Sequence, residues 1–287
     1  MATYGDVQVN RLADALGAEV TGVDWSNGVD AETVAELRQA WLEHHVLVFR
    51  HQQLSPDRLR TFGRAFGELE QVKTYGGLDG YPEIMPLIKE PSDQLNVGEG
   101  WHIDSTYRQC PPAGAALYAI DVPPKGGDTL FSNMYLAYNT LSAGMRRLAD
   151  GLHVVHANGY LGDVAARNER QAQQSMKLRS EVKTETARHP LVRTHPETKR
   201  KSLYVNKLLA DGGMIANLLD MSAEESAPLV QYLCEHAARD EFTWRVKWEP
   251  RMLVLYDNRC LQHNAPNDYD GFRREMWRLS LAGDVPF

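Results

Sequence analysis

His102-Ile103-Asp104 is where this sequence concentrates most potential chemistry. On an extended strand, residues i and i+2 point to one face. An imidazole and a carboxylate would then stand side by side, with Ile103 turned into the opposite layer. Those are two of the three side chains of a 2-His-1-carboxylate facial triad, which leaves open positions on a metal such as Fe(II). Alone the tripeptide is a weak signal, because a hydrogen-bonded or exposed His–Asp pair occurs in many chains. The third donor must come from elsewhere. His263 is the candidate, 161 residues further on and just after the apolar run Met252–Tyr256. Arg274 and Arg278 follow it by 11 and 15 residues. An Arg on the strand after His263 can reach the same cavity. Its planar fork matches a carboxylate, so it can anchor a dicarboxylic co-substrate at the end away from the metal.

The elements that must position these groups are short strands and a few capped helices. Asp30 precedes a run with apolar residues at Val34, Leu37, Ala40, Trp41 and Leu42, which predicts a capped helix. It ends at His44-His45, where a cationic His suits the negative helix end. Val46-Leu47-Val48-Phe49 reads as a buried strand. Ser55-Pro56-Asp57 opens a second helix, and Ser222 with Glu225 forms the capping box of a late one running toward His236. Strands are expected at 114–122, 128–131, 153–156, 190–194, 202–206, 241–247, 252–256 and 275–283. Many short strands separated by turns point to a β-sandwich or barrel with helices at its flanks. Residues 157–187 are mostly polar and are expected to be an active-site lid; 76–100 reads, more weakly, as a second such loop.

The whole-chain properties narrow the partners. The 287 residues carry 31 Lys and Arg against 38 Asp and Glu, a net charge of −7. That argues against nucleic-acid binding driven by phosphate neutralisation. No apolar run reaches membrane-spanning length, and no secretory signal is seen. Cys110, Cys234 and Cys260 are too few for a disulfide framework or a Cys-based zinc site. Without repeats or a Pro/Ser-rich linker, the chain is expected to be one cytoplasmic domain spanning 1–287.

Further segments extend the pattern: Leu16–Asp24, Val46–Arg50, Trp101–Thr106, Pro124–Thr129, His189–Pro196, Leu203–Asn206 and Asp257-Asn258-Arg259 with His263 and Arg274. In these the chain resembles the taurine/2,4-dichlorophenoxyacetate dioxygenase family of Fe(II)- and 2-oxoglutarate-dependent oxygenases, nearest its aryloxyalkanoate branch. The resemblance covers nearly the whole chain in family order. It implies a mostly β fold with flanking helices around a double-stranded β-helix (jelly-roll, cupin-like) core. It implies His102, Asp104 and His263 as iron ligands, and Thr129 with Arg274 on the distal carboxylate of 2-oxoglutarate. Arg278 would lie near the metal-side carboxylate and an anionic substrate. Lys73 and Tyr75 are candidate substrate contacts. Where taurine dioxygenase grips its sulfonate with His and Asn, this chain carries Val72 and Gly98, which speaks against taurine.

The implied reaction hydroxylates an unactivated C–H bond of a small, anionic, carboxylate-bearing molecule. It consumes O2 and converts 2-oxoglutarate to succinate and CO2. The same ligands would serve a tailoring oxygenase that hydroxylates, desaturates or cyclises a larger scaffold such as a terpenoid acid. A non-catalytic jelly-roll binding protein would need a lost ligand or a lost co-substrate arginine, and neither is missing. A homo-oligomer is consistent with family habit. The remaining polar residues read as structural. His153 and His156 face opposite sides of a strand, His189 and His195 pack or hydrogen-bond, Asp128 sits in a turn, Arg259 braces the fold, and Cys260 fills space.

Overall fold

The computed structural model describes residues 2–4, 7–72, 75–157, 175–176, 185–206 and 216–287. Most of the expected lid, and Lys73, lie outside these described residues. The strands are β1 (Ala2–Tyr4), β2 (Val7–Arg11), β3 (Ala18–Thr21), β4 (Val46–Phe49), β5 (Met85–Lys89), β6 (Gly114–Asp121), β7 (Thr129–Asn133) and β8 (His153–Ala157). They continue as β9 (Thr186–Pro190), β10 (Val192–Thr194), β11 (Lys201–Leu203), β12 (Ala216–Leu218), β13 (Thr243–Val246), β14 (Leu253–Asp257), β15 (Leu261–Asn264) and β16 (Arg274–Leu281). The helices are α1 (Ala31–His44), α2 (Pro56–Phe66), α3 (Met134–Asn139), α4 (Ala143–Asp150) and α5 (Ala223–Ala237). The chain is thus mostly β with flanking helices.

Eight strands form the major sheet in the order β1-β2-β3-β4-β14-β6-β16-β5. A minor sheet, β13-β7-β15, carries His263. Alternation along the central strands builds two layers at once. Leu253 and Leu255 of β14, with Ala116 and Tyr118 of β6, turn outward. There they meet Leu37, Ala40 and Trp41 of α1 and Leu59, Phe62 and Phe66 of α2. Val254 and Tyr256, with Ala115, Leu117 and Met276, turn inward against Phe131, Val246 and Leu261 of the minor sheet. Each fully buried aliphatic side chain of this kind contributes about 1.5–3 kcal/mol. The polar site is set into this inter-sheet layer.

The helix starts follow local capping chemistry. The Asp30 carboxylate accepts from the Thr33 amide at 2.8 Å, and Ser222 and Glu225 cap reciprocally at 3.3 and 2.9 Å. Several expectations need correction. The 190–194 strand is broken at Leu191, which separates β9 from β10, and 241–247 begins as a 3-10 turn at Asp240–Phe242 before β13. The 202–206 strand is shifted to Lys201–Leu203. The 76–100 segment contains β5, the edge strand of the major sheet. His45 is 3% exposed, and burial holds its imidazole down at about 3, so it is neutral rather than a cationic helix cap.

Candidate metal centre and its surroundings

His102 is not on a continuous strand. It forms an isolated antiparallel bridge with His263. The two residues exchange both backbone hydrogen bonds, at 2.9 and 2.8 Å. Asp104 then opens a turn in which Ser105 takes a φ of 49°. The turn keeps the carboxylate on the side of the imidazoles: His102 Nε2 and His263 Nε2 each lie 3.8 Å from Asp104 Oδ1. Potential ligand atoms of the three residues all fall within 4.8 Å of one another, and all three residues are buried.

Neighbouring groups decide which atoms face this centre. The Gly100 carbonyl, a pure acceptor, lies 2.8 Å from His102 Nδ1. It requires the proton there and leaves the Nε2 lone pair for the centre. His263 is held by ring packing, 4.9 Å from Tyr256 and 5.9 Å from Phe131 between centroids. Burial, then the neighbouring His102, depress its pKa to about 3, so it is neutral at physiological pH. The Tyr256 hydroxyl donates to Asp104 Oδ2 at 2.6 Å, and Arg278 Nη2 pairs with the same oxygen at 2.8 Å. Both engage Oδ2, so Oδ1 is the oxygen left for the centre. Burial alone would raise the Asp104 carboxyl; Arg278, then His263 and His102, hold it below the ordinary carboxylate range. The backbone is pinned too. Asn258 Oδ1 accepts from the Asp104 amide at 2.8 Å, and Asn206 Oδ1 from the Ile103 amide at 2.9 Å. Two imidazole Nε2 atoms and one carboxylate oxygen, each oriented by its own partner, fit a divalent first-row metal that keeps open positions.

Thr129 is 1% exposed at the start of β7, the strand whose Phe131 lies opposite His263. Its Oγ1 accepts from Trp248 Nε1 at 3.0 Å, which frees the hydroxyl proton to donate elsewhere. Arg274 shares an inward face of β16 with Met276 and Arg278. Its Nε donates to the Gly127 carbonyl at 3.0 Å. Burial pushes the guanidinium down from its ordinary value. Tyr269, then the Asp128 and Asp268 carboxylates, offset this, and both carboxylates are already paired with Arg245 at 3.2 and 3.9 Å. A cavity of about 280 Å3 opens next to Arg278, lined among others by Val72, Tyr75, Met85, Ser105 and Tyr107. Arg108, on its wall, is paired with Glu70 at 2.7 Å.

The structure thus brings together all three proposed ligands and Arg278, and lines one cavity with Arg278 and Tyr75. Thr129 starts β7, which pairs with the His263 strand β15, and Arg274 lies four residues before Arg278 on β16. The residues read as structural behave so. Arg259 grips Asp257 with Nε at 2.8 Å and Nη2 at 2.7 Å, and His195 meets Asp257 at 3.1 Å. His189 Nε2 donates to the Thr106 carbonyl at 2.9 Å. Tyr256, Asn258, Asn206 and Trp248 were not singled out for the roles they take. For Tyr256 the strand parity it shares with Val254 was the available signal, since it aims the ring inward.

Residues 8–280 match the family described as Taurine catabolism dioxygenase TauD, TfdA family. The chain is 34% identical to an alkylsulfatase of Acinetobacter baylyi over 97% of this chain and 86% of that relative. It is 32% identical to the (S)-phenoxypropionate/alpha-ketoglutarate-dioxygenase of Sphingobium herbicidovorans, over 95% and 94%. A crystal structure of a taurine dioxygenase from Burkholderia xenovorans superposes with a TM-score of 0.81 at 35% identity, over 98% and 93%. A family match that runs over residues 8–280, and so spans both histidines, the aspartate and both arginines, leads to one conclusion: this chain belongs to the TauD/TfdA family and is a 2-oxoglutarate-dependent dioxygenase.

Proposed function

We propose that His102, Asp104 and His263 hold Fe(II), and that the enzyme hydroxylates an unactivated C–H bond of a small, anionic, aryloxyalkanoate-like substrate. The major and minor sheets would then be the two halves of a double-stranded β-helix in a single 1–287 domain. The observation that carries the reading is the convergence of two imidazole Nε2 atoms on one free carboxylate oxygen while the other oxygen is tied up by Tyr256 and Arg278. When bound, Fe(II) with 2-oxoglutarate and O2 supplies the oxidising power, and 2-oxoglutarate leaves as succinate and CO2.

The protein's own residues bind and orient. Arg274 offers its fork, and Thr129 its free hydroxyl proton, to the distal carboxylate of 2-oxoglutarate. Arg278 stands at the border of the metal centre and the cavity, where it can hold an anionic substrate end. Val72, Met85 and the rings of Tyr75 and Tyr107 offer apolar contacts on a wall that also carries Glu70, Gln71, Arg108 and Glu185. Val72, and Gly98 lying 3.5 Å from the His102 ring at its would-be Cβ, carry no side-chain donor. That leaves Arg278, with the hydroxyls of Tyr75, Ser105 and Tyr107 on the cavity wall, to hold the substrate's anion. The cavity volume sits at the lower edge of small-molecule sites, which supports a small substrate over a large scaffold. Alkyl sulfates and phenoxypropionates, the substrates in the relatives' names, share this outline of an anion on an apolar body.

Succinate release scored over aryloxy-acids, alkyl sulfates, sulfonates and terpenoid acids tests the reading. Turnover that needs Fe(II), 2-oxoglutarate and O2 is expected, with hydroxylation at the ether-bearing carbon of an aryloxy-acid followed by its collapse to a phenol and a 2-oxo acid. Selective turnover of the large terpenoid acids would contradict the substrate assignment.

A further inference from the structure

Lys89 ends β5 and is 4% exposed, yet its ammonium has no hydrogen-bond partner among the described residues. Its neighbours are the face of Tyr269, 4.7 Å from Nζ, and Asp270 at 3.7 Å. Asp270 is 88% exposed, so water screens it. An ammonium taken out of water without hydrogen bonds costs several kcal/mol. A fold that keeps one there leaves an acceptor position to be filled. The register supplies the context: Lys89 lies directly opposite Arg274 across the β5–β16 pair. Residues opposite each other in an antiparallel pair share a face, and Leu87, two residues before Lys89, packs into the inter-sheet core. Lys89, Arg274, Tyr269 and Asn96 line one small cleft. Two buried cations therefore face one space, and the carboxylates near Arg274 are engaged by Arg245.

We propose that Lys89 is a second cationic contact, beside Arg274, for the distal carboxylate of the 2-oxo-acid co-substrate. The inference rests on the co-substrate reading above and adds a residue to it. The cleft now holds about 10 Å3, the room of about one water. A carboxylate enters when the ammonium swings off the Tyr269 ring, which its flexible four-carbon stem allows. With Lys89 in place, the site discriminates between 2-oxo acids that carry a remote carboxylate and those that do not.

The test is calorimetric titration of the Mn(II)-loaded protein with 2-oxoglutarate and with 2-oxopentanoate, which lacks the remote carboxylate. Lys89→Met should weaken 2-oxoglutarate about tenfold or more, leave 2-oxopentanoate within about twofold, and retain its melting temperature. Lys89→Arg should recover most of the affinity. Lys89→Gln serves as a second neutral variant if the Met variant folds poorly. Equal losses for both ligands would make Lys89 a packing residue and overturn the inference, as would unchanged 2-oxoglutarate affinity in both neutral variants. Failure of the wild type to bind 2-oxoglutarate would instead overturn the underlying reading.

Discussion

Tyr256→Phe removes a single oxygen atom from the inter-sheet layer. That oxygen donates to Asp104 Oδ2 at 2.6 Å in a fully buried setting. Hydrogen bonds to a charged group contribute about 1.5–3 kcal/mol. Arg278 remains on Oδ2 at 2.8 Å, so the carboxylate is not stranded and the low end, about 1.5 kcal/mol, applies. Without the hydroxyl the carboxylate can turn about its last torsion, and metal binding must first restore the orientation that presents Oδ1. The affinity loss is bounded by the lost bond, about tenfold. The same loss in the apo fold of this 287-residue chain lowers the melting temperature by about 2–3 °C. The assay is anaerobic titration of Fe(II), or Mn(II), into wild type and variant, with melting curves of both. Metal affinity within twofold of wild type would refute the reasoning, because the hydrogen bond would then serve the fold alone.

Two further outcomes follow from buried groups. Arg259→Met leaves the buried Asp257 carboxylate with only His195 and backbone donors, and breaking a buried pair on one side costs about 3–5 kcal/mol. Urea denaturation should show that loss, and a change below about 1 kcal/mol would contradict the bracing role. His156 is fully buried, and burial, then His189, depress its pKa to about 3. A depressed His stabilises fully above its unfolded pKa of about 6.5 and loses that contribution as pH falls toward 3, at about 1.4 kcal/mol per pH unit. Between pH 7.5 and 5.0, His156→Leu should therefore lose about 2 kcal/mol less stability than wild type by urea denaturation. Equal losses would refute the assignment.

Local chemistry made the helix starts legible. Asp30, the Ser55-Pro56-Asp57 turn and the Ser222–Glu225 box act within one turn of chain, and each caps a helix in the structure. Val46–Phe49 was equally plain as an apolar run. β5 was not legible, because Pro86 sits at its second position. Pro is tolerated there since β5 is an edge strand, and edge position is a property of the sheet. Thr129, the role of Arg278, Lys73 and Tyr75 came from the family pattern, whereas the three candidate ligands and Arg274 were legible by type and spacing. Their arrangement was not: the His102–His263 bridge joins residues 161 apart, and the Ser105 turn replaces the strand that H-x-D spacing suggested. Lys89 was hidden because nothing local marks a buried ammonium; only its register opposite Arg274 does.

The central claim is that these three side chains hold one metal. Anaerobic titration of Fe(II) into wild type and His263→Ala at pH 7.5, with bound metal quantified, tests it most directly. The account predicts one equivalent in wild type and a loss of at least about 100-fold in affinity in the variant. Equal stoichiometry and affinity in the two proteins would contradict it.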